Sequence, residues 1–252
     1  MSVRRLLKTS TIICIALSVL LLIYVYVNPV TLLSVTWWKA RAKPELWMVP
    51  RPLAVVSIEQ TAGQTFTFYG YQFEVPWPEV NREEHLKGTQ LVYFSNGFVL
   101  MLRDPAQSVN QLKLLTREGT ENQDSLKRLF GEEATRSNYA LRSKILNLTP
   151  RDLQLSISRQ KMVSSSVLLM LKPKWTDTLQ GGLYSFQTEW SRGFQQGDPT
   201  RDKTVTIDAF DAYDHEIELS VGRQQGASQD LTQSELNRII YSLRPILESQ
   251  SK

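Results

Sequence analysis

From Thr9 to Trp38 the chain carries no charged side chain, and this run of 30 residues constrains everything else about how it folds. Its most apolar part is Thr11 to Val27 (TIICIALSVLLLIYVYV). As a helix those residues extend about 26 Å, close to the roughly 30 Å hydrocarbon core of a bilayer. Thr9, Ser10 and Asn28 complete the span at its two ends. A helix that is apolar on every face offers water no polar stripe, so the sequence predicts one transmembrane helix over residues 11–28. Arg4, Arg5 and Lys8 lie just before it, in a short basic tail over residues 1–10. Lys39, Arg41 and Lys43 lie beyond a neutral stretch on the other side. Basic residues close to a span tend to stay in the cytoplasm. The expected topology is therefore a cytoplasmic N-terminus and an extracytoplasmic remainder in the cell membrane. Tyr24, Tyr26, Trp37, Trp38 and Trp47 suit the far interface.

The span reads as an uncleaved signal-anchor. Its apolar run exceeds the roughly 7–15 residues of a secretory h-region, and the small-x-small sequence Ala40-Arg41-Ala42 stands well past it. Cys14, the only cysteine, sits near the start of the run, whereas a lipid-bearing cysteine would sit at its far end. The remaining chain has no disulfide, thiolate nucleophile or thiolate metal site to draw on. Residues 1–43 hold six of the chain's 29 basic residues and none of its 25 acidic ones. The rest therefore has 23 basic and 25 acidic side chains, so the net charge of +4 belongs to the anchor. Nucleic-acid binding needs a basic face on the domain itself, and the sequence supplies none.

Residues 29–52 read as a linker, punctuated by Pro29, Pro44, Pro50 and Pro52. Residues 53–247 form the expected globular domain, followed by a polar tail at 248–252. In Thr65–Val75, Phe66 and Phe68 precede Gly70, and Tyr71, Phe73 and Val75 follow it. Period-two spacing on both sides of a glycine predicts two strands, or one strand with a bend. Thr89–Ser95, Asn96-Gly97 and Phe98–Arg103 predict a hairpin with a type I′ turn. Helical spacing follows in Asp124–Phe130, Ser137–Leu148 and Ser158–Leu171, with Thr149-Pro150 as a cap and first-turn proline. Leu183–Phe194 alternates loosely and leads into a polar loop at Gln195–Asp202. Thr204–Phe210 and Glu216–Val221 read as strands around a short turn. Thr232-Gln-Ser-Glu235 is a capping box for a helix carrying Leu236, Ile239, Ile240 and Leu243. Runs of strands, then helices, then strands, then a helix define an α+β domain: an antiparallel β-sheet with helices packed on it.

Tyr69-Gly70-Tyr71-Gln72-Phe73-Glu74-Val75-Pro76 followed by Trp77 resembles the opening strand of PsbP/Mog1-like domains. Ile217–Val221 followed by Leu231–Leu243 and Arg244 is similar to their closing strand and helix. The resemblance implies an α/β/α sandwich that serves as a binding or assembly module, and it transfers no catalytic residue.

Few side chains suggest chemistry. His85 and His215 are the only histidines, 130 positions apart. His85 falls in the charged stretch Asn81–Lys87, which reads as a solvated loop. Ile207–Glu218 gathers Asp208, Asp211, Asp214, His215, Glu216 and Glu218, oxygen donors of the kind Ca²⁺ uses. Its spacing is not that of a calcium-binding helix–loop–helix, and acidic hairpin tips commonly just face water. Ser164–Ser166 lacks a nucleophile-elbow context, and neither a phosphate-binding loop nor a dinucleotide fingerprint is present. Asn147-Leu148-Thr149 is a formal glycosylation sequon in a helical setting, expected to be unused. No catalytic, cofactor-binding or metal-ligating residue is assigned, and no cofactor. The sequence points to a membrane-anchored extracytoplasmic binding or assembly module without catalytic activity. Its expected partners are the lipid bilayer, through residues 11–28, and a protein. Its working surface is expected at exposed aromatics near the acidic hairpin or the Trp77 turn. A hydrolase with a dispersed active site and a carrier of an apolar ligand are the alternatives.

Overall fold

The computed structural model describes residues 42–54, 63–77, 79–107, 127, 131–154, 169, 171–176, 179, 181–224, 227 and 230–246. The predicted transmembrane helix, nearly all of Asp124–Phe130 and most of Ser158–Leu171 lie outside them. Among the described residues, no helix is long and apolar enough to cross a membrane.

The fold is α+β. Among the described residues, eleven strands run in chain order: β1 (Arg51–Pro52), β2 (Gln64–Phe68), β3 (Tyr71–Val75), β4 (Val80–Leu86), β5 (Thr89–Phe94), β6 (Phe98–Arg103), β7 (Leu183–Gln187), β8 (Arg192–Gln196), β9 (Thr204–Phe210), β10 (Glu216–Arg223) and β11 (Arg244–Pro245). Among the described residues, four α-helices accompany them: α1 (Asn138–Asn147), α2 (Pro150–Gln154), α3 (Pro173–Thr176) and α4 (Gln233–Ser242). Eight strands form one sheet in the order β1-β7-β8-β9-β10-β6-β5-β4, and β11-β3-β2 form a second. Every pair is antiparallel except β1 with β7.

Alternation along β9 decides which layer each side chain joins, because successive strand residues point to opposite faces. Val205, Ile207 and Ala209 enter a core with Ile217, Leu219, Val221, Leu100 and Leu102. Onto that face pack Leu236, Ile239 and Ile240 of α4, together with Phe73, Val75 and Trp77 around the small sheet. Phe210, on the opposite face, joins Phe194, Leu141, Ile145 and Leu146 of α1, and Trp175 of α3. The large sheet is thus covered on both sides. Burying each of the three aliphatic side chains of α4 is worth about 1.5–3 kcal/mol. The capping box forms as its sequence requires: Thr232 accepts from the Glu235 amide, and Glu235 reaches back to the Thr232 amide.

One turn resolves an open expectation and another departs from the one made for it. Tyr69 and Gly70 have φ of 42° and 83°, and Phe68 pairs with Tyr71. That is a two-residue type I′ hairpin, with a tyrosine accepting a backbone conformation that costs little only at glycine. The Asn96-Gly97 turn, expected to be type I′, is instead a three-residue loop, Ser95–Gly97. Gly97 alone has positive φ, and its amide returns to the Phe94 carbonyl at 3.0 Å. Asn96 Oδ1 accepts from the Phe98 amide instead, which holds the asparagine outside the left-handed region.

Three further expectations change. Asn81–Lys87, read as a loop, is mostly β4, an edge strand, and its charged side chains suit an edge that must not pair with another chain. The loosely alternating Leu183–Phe194 spans the β7–β8 hairpin up to the middle of β8. Thr188 Oγ1 accepts from the amides of Trp190 and Ser191 and closes its turn. Gln195, assigned to a polar loop, is a buried residue of β8. Its amide exchanges hydrogen bonds with Gln233, which also donates to Asn237, and Asn237 donates to the Ala54 carbonyl. The distal end of the expected linker packs on the domain: Leu46 is buried, and Lys172 Nζ donates to the carbonyls of Leu46 (3.2 Å) and Leu148 (2.6 Å).

Candidate functional site

The acidic hairpin between β9 and β10 turns most of its carboxylates inward. Asp208, Glu216 and Glu218 share the face toward α1, by the same alternation that buries Phe210. Arg142 of α1 meets them there. Its guanidinium lies 2.8 Å from Asp208 and 2.6 Å from Glu216, with almost no exposure. At the sheet surface Arg103 pairs with Glu218 at 2.7 Å. Gln196 also donates to Asp208.

Burial alone would lower the Arg142 guanidinium, but Asp208 and Glu216 outweigh it and hold it above its ordinary value. Burial pushes the Asp208 carboxyl up to about 7, against the pull of Arg142. The two shifts are compatible. Three carboxylates share one fully buried cation and one half-exposed cation, so the most deeply buried carboxyl is pushed up while the arginine stays charged. Burial raises Glu218 as well, opposed by Arg103. Arg142 Nε and Nη1 lack well-aligned acceptors, so the close approach of Nη1 to Asp208 is an ion pair rather than a directed hydrogen bond.

The turn itself is held by two aspartates. Asp211 is buried and collects four donors. The amides of Tyr213 and His215 reach Oδ1, both at 2.9 Å, and the Tyr71 hydroxyl reaches Oδ2 at 2.7 Å. The His215 ring nitrogen Nδ1 lies 3.0 Å from the same Oδ2. Burial pushes the Asp211 carboxyl up, but the hydrogen bonds from Tyr71 and His215 prevail and keep it below the usual range. Burial, the Asp211 bond and its charge all drive the Tyr71 hydroxyl strongly upward. Asp214, at φ 66°, faces the N-terminus of α1. It accepts from the Ser137 hydroxyl (2.8 Å), the Tyr139 amide (3.1 Å) and the Asn138 amide. Ser137 in turn caps α1 through the Ala140 amide. Helix and hairpin therefore fix each other.

Beside this turn an open cleft of about 450 Å³ is lined by Tyr69, Tyr71, Asp104, Pro105, Ala106, Asn138, Asp214, His215 and Glu216. It joins the tip of the β2–β3 hairpin, the segment after β6, the start of α1 and the acidic turn. Tyr69 is 56% exposed, and its ring is set by an edge contact with Phe68. Tyr213, 83% exposed, stands over His215 on the turn beside the cleft. Asp104 Oδ1 accepts from the Ala106 amide.

Of the residues singled out from sequence, the structure gathers Asp211, Asp214 and His215 around the turn and Asp208, Glu216 and Glu218 on the face toward α1, with Glu216 also lining the cleft. His85 is solvent-exposed on β4, far along the sheet from His215. The Asp208, Glu216 and Glu218 oxygens lie within 4.8 Å of one another, but Arg142 and Arg103 are the cations they hold. Trp77, expected at a working surface, is 2% exposed, and its indole N–H donates to Glu235 at 3.1 Å. Asn147 ends α1, and its amide donates to the Ser143 carbonyl. Ser164–Ser166 lies outside the described residues. Sequence reasoning gives no such role to Arg142, Tyr71 or Asp104. Arg142 sits among the apolar positions of an otherwise ordinary helix. Tyr71 reads as one more aromatic in an alternating strand, and Asp104 as the stop before Pro105.

Comparison of this chain with protein-family models, with curated proteins and with solved structures gives no match.

Proposed function

We propose that this protein is a membrane-anchored binding module, without catalytic activity of its own, that works from the extracytoplasmic side and engages a protein partner through the cleft beside the β9–β10 turn. The cleft carries the reading. It is concave, of a size typical of specific ligand sites, and its walls are prefixed by hydrogen bonds. Sites held rigid before binding lose less entropy on association. The uncharged run over residues 11–28 supports the anchor, and its flanking charges support the topology. The resemblance to PsbP/Mog1-like domains points the same way. An apolar carrier is disfavoured, because charged and hydroxyl groups line much of the cleft.

The Asp211–His215 pair supports a second reading, a hydrolase with His215 as general base, since a carboxylate behind an imidazole fixes its tautomer. The test separates the two. A photo-crosslinking residue at Tyr213 should yield a discrete adduct in cells, lost when Ala106→Trp fills the cleft, while the same probe at Leu86 on β4 yields none. Identical patterns from both positions overturn the proposal. Turnover of a model ester abolished by His215→Asn would establish the second reading.

A further inference from the structure

The hydrogen-bonding inventory of the cleft narrows what it accepts. Several donors beside it are already engaged. Asp214 takes the first amides of α1 and the Ser137 hydroxyl, Asp211 takes the Tyr71 hydroxyl, and Arg142 is held by Asp208 and Glu216. An anion drawn to the helix N-terminus finds a carboxylate already there.

The acceptors are a different matter. Asp211 is an ionised carboxylate, so the His215 nitrogen facing it must be the N–H donor. Nε2 is then the ring nitrogen outside that pair, and His215 lines the cleft. Asp104 commits Oδ1 to the Ala106 amide. Among the described residues, Asp104 Oδ2 and His215 Nε2 take no hydrogen bond. The exposed Tyr69 and the largely buried Tyr71 line it as well. An unengaged carboxylate oxygen beside tyrosine rings, with the nearby helix amides already taken, suits a cationic donor.

We infer that the cleft binds a cationic group, an ammonium or guanidinium, between the tyrosine rings, the Asp104 carboxylate and the imidazole of His215. This rests on the reading of the cleft as the binding site and names the chemistry it recognises. The ion can belong to an arginine or lysine side chain of a partner protein or to a free amine.

Having only two histidines makes the test internal to one sample. The full chain in detergent micelles, with labelled histidine, gives one ring signal from His215 in the cleft and one from His85 on β4. Three probes are titrated: N-acetylarginine amide, N-acetylglutamine amide and N-acetylglutamate amide. The expected result is a saturable shift of His215 with the arginine probe alone, while His85 stays still. Asp104→Asn keeps the acceptor for the Ala106 amide and removes the charge. It should weaken that binding about tenfold, the scale of one charge-assisted hydrogen bond. Ala-Ala-Arg-Ala-Ala binding more tightly than agmatine assigns the ligand to a protein side chain, and the reverse order assigns it to a free amine. No shift, a shift with all three probes, or unchanged binding in Asp104→Asn overturns the inference. If that happens while the Tyr213 crosslink persists, the cleft remains a binding site and only its cation preference falls. Loss of both results removes the site.

Discussion

Replacing Arg142 with methionine should be the most damaging single change at the hairpin, and its cost should depend on pH. The guanidinium is almost wholly buried against Asp208 and Glu216, whose side chains are 4% and 11% exposed. Removing one partner of a buried ionic group leaves the other charge uncompensated and costs about 3–5 kcal/mol. Methionine fills much of the volume, so the loss is mainly electrostatic. In the native protein Asp208 titrates near 7, above the ordinary carboxylate value of 3.8. Between those values the folded state holds a proton that the unfolded chain has released. Stability therefore falls as pH rises through that window, by up to about 1.4 kcal/mol per unit, and levels off above it. Without Arg142 the carboxyl rises further and the window extends upward. The cost of Arg142→Met should then be larger near pH 8 than near pH 5, by about 1.4 kcal/mol or more. Denaturant titration of the full chain in micelles, followed by circular dichroism, measures both. Arg103→Gln, at a half-exposed pair, is the control and should cost about 1 kcal/mol or less. An Arg142→Met protein within about 1 kcal/mol of the native one, with the same pH dependence, would refute the reasoning.

Lys172 predicts a second pH effect of opposite sign. Burial lowers its amine to about 8 from 10.5, opposed by Asp152, so the unfolded chain binds the extra proton between those values. Stability should rise with pH through that window, and Lys172→Met should abolish the rise in the same titration. Asp214→Ala removes the acceptor for Ser137 and two α1 amides and should cost about 1–2 kcal/mol, read as a lower melting temperature. Gly70→Ala meets no atom within 4 Å but must adopt φ 83°, so about 1 kcal/mol of backbone strain is the whole expected loss. Gly193→Ala, whose added carbon would overlap the Asp208 carbonyl and the Phe186 ring, should fail to accumulate as folded protein. Leu236→Ala, in the core under α4, should lose about 2–5 kcal/mol by denaturant titration.

Much of the fold is written in local patterns. Thr232-Gln-Ser-Glu235 specifies a cap that needs no distant partner, and Val205, Ile207 and Ala209 specify a face by parity alone. Local rules fail where two of them compete. Asn96-Gly97 has the composition of a type I′ turn, yet the asparagine side chain supplies an alternative bond and lengthens the loop. Tyr69 takes the strained turn instead, where its ring can reach the cleft. β4 is hidden because an edge strand needs charges on it, and charges read as loop. The site is the least legible part. Asp211 and Asp214 are visible as acidic residues, but their partners are far away in sequence: Tyr71 by 140 positions and Ser137 by 77. Only the folded arrangement shows that one aspartate orients a histidine and the other closes a helix.

The most direct measurement uses the chain's single native cysteine, Cys14, within the expected span. Tyr213→Cys places a second thiol beside the cleft, at a position 83% exposed. Intact cells are treated with a membrane-impermeant maleimide, and the rate is compared with that of the purified chain in micelles. Labelling of the introduced thiol in intact cells, slower than in the purified chain because a ligand covers the cleft, is the predicted result. Labelling only after the membrane is broken would contradict the extracytoplasmic placement, and equal rates in both preparations would contradict an occupied binding site.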